Sequence, residues 1–252
     1  MKNLIKILAL SFAFILAFSA CGGKGENQEI TQPTNALAEK ATLPVPTEPA
    51  ESEVLEITEF NVPEGMPVEK VVIDENVTRQ QVKFTMENGS YFIIDLYPEY
   101  APETCKNFVK LVEDGYYNGL TFHRIIPGFM AQGGDASLSG KSDTAKEIRG
   151  EFHANGFYKN TLSHTRGVVS MARTDDPDSA SSQFFICYDD CGGVYGDPNY
   201  QWLDGQYAAF GIVSEGMYVV DSFLDVQRTY GRDGKLSSPV TPIVIAKAEV
   251  IK

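Results

Sequence analysis

The stretch Phe122-His123-Arg124-Ile125-Ile126-Pro127-Gly128-Phe129-Met130-Ala131-Gln132-Gly133-Gly134-Asp135 sets one guanidinium and one carboxamide among large apolar side chains. Both groups make hydrogen bonds, and Arg124 adds a permanent charge, but neither is a nucleophile or a titrating acid or base near neutral pH. Local physics alone reads the stretch as a buried strand whose Arg pairs with a carboxylate. Two later stretches carry a similar mixture: Ser170-Met171-Ala172-Arg173 followed by Ser182-Gln183-Phe184-Phe185-Ile186, and Trp202-Leu203-Asp204-Gly205-Gln206-Tyr207-Ala208-Ala209-Phe210-Gly211. His123, His153 and His164 are far apart and lack metal-ligand spacing, so no metal site is expected. A phosphate loop, a dinucleotide glycine pattern and Gly-x-Ser-x-Gly are all missing, and the chain reads as cofactor-free.

Short alternating or apolar runs must position these groups. They fall at residues 81–86, 91–96, 167–171, 184–186, 208–213 and 242–251, and they read as strands. Asn88-Gly89 between the first two is a hairpin signal, because both turn positions tolerate positive φ, so the sheet begins antiparallel. Helical spacing shows in residues 102–114, through Cys105, Phe108 and Val112, and in 216–226, through Met217, Val220 and Leu224. Pro102 suits a first helical turn. Many strands, two helices and no strand–helix alternation point to an all-β-dominated closed barrel or sandwich with helices capping its ends.

The first residues read as an export signal. Lys2 and Lys6 precede an uncharged apolar run at residues 7–18, too short to span a bilayer that needs ~20 apolar residues. The run closes on Phe18-Ser19-Ala20-Cys21, which resembles the lipobox of bacterial lipoproteins, with Phe18 where Leu is commoner. The expected organisation is a signal peptide at 1–20, a tether at 21–70 anchored by lipid on Cys21, and a folded domain at 71–252. The tether is rich in Pro, Thr, Glu and Ala and holds three basic against ten acidic residues over 22–70, about half of the chain's net −13. It is expected to be solvated and to hold the domain off an anionic surface outside the cytoplasm. The chain lacks the clustered Lys and Arg that nucleic acid requires. Of the four cysteines, Cys105, Cys187 and Cys191 remain beyond Cys21, an odd number, and no disulfide is expected.

Taken in order, the three motif stretches resemble the cyclophilins, and the likeness runs from about Val82 to Ile251. The resemblance implies an eight-stranded antiparallel β-barrel closed by two α-helices, with proline-containing polypeptides bound in a groove outside it. It implies cis-trans isomerisation of prolyl peptide bonds, with Arg124 catalytic and Phe129, Met130, Phe185 and Leu203 enclosing the proline ring. Gln132 and the Ala172-Arg173 backbone would hold the peptide, with Gln183 and Trp202 bordering the groove. Tyr207 stands where His is common and Arg173 where Asn is common, as in bacterial members. Residues 188–201 form a Gly- and Asp-rich stretch longer than the usual link. Trp202 implies cyclosporin binding, which that stretch is expected to weaken. The domain is expected to be a monomer. A binding module without physiological turnover is the competing reading, disfavoured because a pure binder has no need of Arg124; a surface adhesin would call for repeats, which are missing.

Overall fold

The computed structural model describes residues 42–74, 78–193 and 203–252, all within one unit, 41–252. The signal, Cys21, Trp202 and most of the 188–201 stretch lie outside the described residues.

Eight strands close an antiparallel barrel. In chain order the described strands are β1 (Gln81–Met86), β2 (Tyr91–Leu96), β3 (Thr121–Ile126), β4 (Met130–Gly133), β5 (Val168–Met171), β6 (Phe184–Cys187), β7 (Ala209–Glu215), β8 (Arg228–Tyr230), β9 (Leu236–Pro239) and β10 (Ile243–Val250). The barrel runs β1-β10-β3-β4-β6-β5-β7-β2, while β8 and β9 form a separate hairpin. Asn88-Gly89 makes the first turn as expected: Gly89 has φ 87, and Asn88 Oδ1 accepts from the Ser90 amide at 3.1 Å. Two helices accompany the strands, α1 (Pro102–Glu113) and α2 (Met217–Asp221), the latter continued by a 3-10 turn Ser222–Asp225.

Aromatic rings fill the barrel. Phe84, Phe92, Phe108, Tyr117, Phe122, Phe184 and Phe210 are all buried, with ring centroids about 5–6 Å apart in stacked or tilted pairs. Among the described residues the barrel interior is thus occupied by side chains. Along β4 and β6 the strand alternation divides the side chains: Ala131, Phe184 and Ile186 pack into this core, while Met130, Phe185 and Cys187 join an outer cluster with Leu203.

Helix α1 opens on Pro102 with no side-chain cap from Ala101. The buried carboxylate of Glu151 replaces it, accepting from the amides of Glu103 and Thr104 at 3.1 and 2.8 Å and from Thr104 Oγ1 at 2.8 Å. An anion suits this end of a helix, where unpaired N–H groups and the dipole are both positive.

Of the expected tether 21–70, residues 42–70 are described, and Leu55 and Ile57 within it lie against the barrel, beside Val71 and Ile73 of the expected domain. Leu55, Ile57, Val71 and Ile73 pack on a patch of Tyr100, Leu162, Val168, Ala209 and Ile212. Backbone bonds tie the strap down, from Ser163 N to Thr58 O at 2.8 Å and from Phe60 N to Thr161 O at 2.9 Å. Glu59 accepts from Tyr100 Oη at 2.9 Å and Thr161 Oγ1 at 2.7 Å. Arg166 bridges Glu53 and Asp221, at 2.7 and 2.8 Å. Composition missed this because each apolar alternation is only two residues deep, too short to stand out from a polar background.

Candidate active site

The β3–β4 hairpin carries the first motif. Register places Arg124 opposite Gln132, and β6 then places Phe185 opposite Gln132 on its other side. Gly134, next to last in the motif, has φ 88, and an added Cβ there would lie 2.7 Å from Ser182 O, so only glycine fits. The result is a cavity of about 130 Å³ lined by Arg124, Phe129, Met130, Gln132, Ala172, Arg173, Phe185, Leu203 and Tyr207. Nine of the residues singled out from sequence thus converge. Gln183 adjoins them, its Oε1 accepting from Gln132 Nε2 at 2.9 Å.

Arg124 does pair with a carboxylate, as local physics suggested, but at the surface. Its Nε donates to Asp233 Oδ2 at 2.7 Å, with the two side chains 26% and 22% exposed. Nη1 reaches Gln132 Oε1 at 3.3 Å and Met130 Sδ at 3.8 Å. Nη2 has no partner among the described residues. The β8–β9 turn holds Asp233 in turn, Oδ1 accepting from Lys235 N at 3.0 Å and Ser237 Oγ at 2.9 Å. Burial raises the Asp233 carboxyl, but the Arg124 guanidinium, the Lys235 amide and the Ser237 hydroxyl together outweigh it and bring the pKa down to about 2. Asp233 was not foreseen: it is one carboxylate in a Gly-Arg-Asp-Gly turn, and no motif marks it.

The Arg173 side chain, which lines the cavity, is held by the protein itself. Its guanidinium donates to Gln206 O at 3.2 and 3.0 Å and lies 4.6 Å from the Tyr207 ring centroid and 5.0 Å from that of Phe152. Tyr207 is thereby set edge-on to Phe185, at 6.0 Å and 81°. Behind Phe185 lies a buried network that sequence reasoning also missed. Asp204 accepts from His164 Nδ1 at 2.8 Å, the His164 amide at 2.7 Å and Ser163 Oγ at 2.7 Å. His164 Nε2 lies 2.9 Å from Ser170 Oγ, so both ring nitrogens are engaged. The His164 ring, fixed in this way, stacks on Phe185 at 6.0 Å and 16°.

A second cavity of about 430 Å³ lies on the other side of Arg124. His123 lines it, and burial holds its imidazole below the usual range, with Asp135 partly opposing and Arg124 and Arg232 adding to the shift. Cys105, Cys187 and Cys191 are free thiols.

Comparison with known proteins agrees with this geometry. The family model described as cyclophilin type peptidyl-prolyl cis-trans isomerase/CLD matches residues 81–250. A peptidyl-prolyl cis-trans isomerase of Acinetobacter baylyi is 41% identical over 159 residues, covering 62% of this chain and 78% of that one. Peptidyl-prolyl cis-trans isomerase A of Dickeya dadantii is 43% identical over 153 residues, covering 60% and 75%. Among solved structures, a Cryptosporidium parvum cyclophilin type isomerase superposes with a TM-score of 0.55 at 28% identity, covering 69% of this chain and 99% of that one. The same isomerase crystallised in the presence of the dipeptide Ala-Pro gives a TM-score of 0.54. With the eight-stranded barrel, the outer groove and the match over residues 81–250, this chain belongs to the cyclophilin-type peptidyl-prolyl cis-trans isomerases.

Proposed function

We propose that Arg124 drives isomerisation by donating a hydrogen bond to the prolyl nitrogen in the twisted state. Resonance makes the C–N bond partly double, with a barrier of ~18–20 kcal/mol. On twisting, the nitrogen loses conjugation and gains a lone pair that accepts a hydrogen bond. A guanidinium stays charged at every working pH, and its bond strengthens in a groove partly shielded from water. Phe129, Met130, Phe185 and Leu203 hold the ring while the acyl side turns, and Gln132 and the Ala172-Arg173 backbone hold the peptide. No proton moves and no covalent bond forms. The observation that carries this reading is Arg124 in the cavity wall, anchored through Nε with Nη2 unengaged.

The reading extends to location and partners. Cys21 carries lipid, and the enzyme works outside the cytoplasm as a monomer on proline-containing segments of exported proteins; the apolar run closed by Ser19-Ala20-Cys21 supports this. Cyclosporin binds at the groove rim through Trp202, less tightly than in relatives with a short 188–201 stretch. A protease-coupled assay on an Ala-Pro peptide tests the activity, and a folded protein that gives no acceleration refutes it. Cys21→Ser is expected to move the protein from membranes to the soluble fraction. A wild-type mature chain free of lipid would end the anchor proposal.

A further inference from the structure

Cys187 and Cys191 lie behind the proline pocket and outside its lining. Both belong to the outer cluster with Met130, Phe185 and Leu203, Cys187 fully buried and Cys191 partly exposed. Three residues separate them, and the backbone brings both to one segment: Cys187 O accepts from the Gly167 amide at 2.9 Å, and the Cys191 amide donates to His164 O at 2.8 Å. Cys191 Sγ lies 3.1 Å from Phe129 O, the same carbonyl that accepts from the amide of Tyr188, next to Cys187, at 2.9 Å. The thiols also meet each other. A hydrogen bond from Cys187 is the chief cause that holds the Cys191 thiol below its usual range, with burial opposing it, while burial pushes the Cys187 thiol up. A partly exposed sulfur with thiolate character, backed by a second thiol, is reactive where a buried cysteine alone is inert.

The geometry points to Cys187 and Cys191 as a reversible dithiol–disulfide pair that sets the shape of the proline pocket. The structure holds the reduced form. The inference rests on the placing of the proline ring between Phe129 and Leu203 proposed above. The oxidant is a small disulfide of the glutathione class. Cys191 thiolate attacks one of its sulfurs and expels a glutathione thiolate; Cys187 gives up its proton, attacks the Cys191 sulfur and expels the second glutathione. Two protein thiols become one disulfide, one glutathione disulfide becomes two thiols, and both protons end on glutathione.

The consequence follows from what Cys191 touches. A covalent bond is far shorter than a thiol–sulfur contact, so closing it draws Cys191 toward Cys187 and off Phe129 O, one wall of the pocket. Gly192 moves with Cys191, and its carbonyl accepts from the amides of Leu203 and Asp204 at 3.0 and 3.3 Å, so the shift reaches the opposite wall.

The test uses the mature chain carrying Cys21→Ser, so that no thiol outside the described residues competes. After incubation with glutathione disulfide, peptide mapping by mass spectrometry should find a bond between Cys187 and Cys191. kcat/KM on an Ala-Pro peptide should fall on the order of tenfold and return with dithiothreitol, and the amide NMR signals of Phe129 and Leu203 should shift in step. Cys191→Ser and Cys187→Ala should each make rate and signals indifferent to the oxidant. Thiols that stay free, or a glutathione adduct that stops at Cys191, refute the pair. A mapped bond with the rate of an active enzyme changed less than twofold refutes its hold on the pocket. A chain inactive in both states fails the isomerase reading, and the pair is then decided by the mapping and by whether the Phe129 and Leu203 signals move.

Discussion

Replacing Asp233 by Asn preserves an acceptor for the Lys235 amide and the Ser237 hydroxyl, but turns an amide N–H₂ toward Arg124 Nε where a carboxylate oxygen stood at 2.7 Å. Two donors then face each other, and the guanidinium is released from the β8–β9 turn. An arginine side chain carries about 2 kcal/mol of rotamer entropy, and the long contacts to Gln132 and Met130 retain part of the order. Freeing half to all of it costs about 1–2 kcal/mol of orientation, so kcat should fall about 5- to 30-fold. The contact between enzyme and ring is untouched, so KM should change by less than about twofold. Line-shape NMR on a proline peptide gives both constants. A kcat within twofold of wild type, in a protein with unchanged thermal midpoint, would show that Arg124 is held by its other neighbours and that the clamp is ornamental. The pH dependence follows from the same pair. The carboxyl is lowered, so the pairing stabilises the fold above the ordinary Asp pKa of about 3.9 and is lost as pH falls toward about 2. Between pH 5 and 8 Asp233 should leave the rate flat.

Three further outcomes are expected. Arg124→Lys, which cannot both grip Asp233 and donate into the groove, should lower kcat on the order of a hundredfold in the protease-coupled assay while binding of a proline peptide persists. Burial lowers the His123 pKa, so below the ordinary His value of about 6.5 the unfolded chain takes up more protons and stability should decline as pH falls; urea midpoints should show this, and His123→Gln should flatten it. Leu55→Ala, which removes a half-buried side chain lying over Gly167, should cost about 1 kcal/mol and lower Tm by about 2–4 °C by calorimetry; no change would mean that residues 42–74 do not hold to the barrel in solution.

Much of the barrel was legible because its strands announce themselves locally. β1 and β2 carry alternation and a turn dipeptide, and both fall where the pattern placed them. The second helix was read as one piece over 216–226, whereas it relaxes from α to 3-10 after Asp221, a distinction that apolar spacing does not encode. The wall of the smaller cavity was legible only through the resemblance of three motif stretches to the cyclophilins: local pattern read Arg124 to Gln132 as a buried strand, and Ala172, Arg173, Phe185, Leu203 and Tyr207 come from distant stretches. Asp233 and the His164 network were not, since each depends on a pairing across 109 and 40 positions of chain with no periodic signal between. β8 and β9 were also missed, being short, largely exposed strands without alternation.

The pleat of β4 and β6 makes the core and the groove two faces of one sheet. Phe184 and Ile186 are packed among rings in the interior, and Phe185 between them is the wall that a proline ring would touch. Dense packing leaves no slack to absorb a change of volume on the inner face. A methylene added inside the barrel presses on the sheet whose outer face lines the groove, while one removed leaves a cavity that its neighbours fill only in part. Variation in the core thus becomes a means of retuning which polypeptides are turned over, at sites no substrate ever contacts. A core change that alters volume therefore bears on thermal stability and on substrate range together.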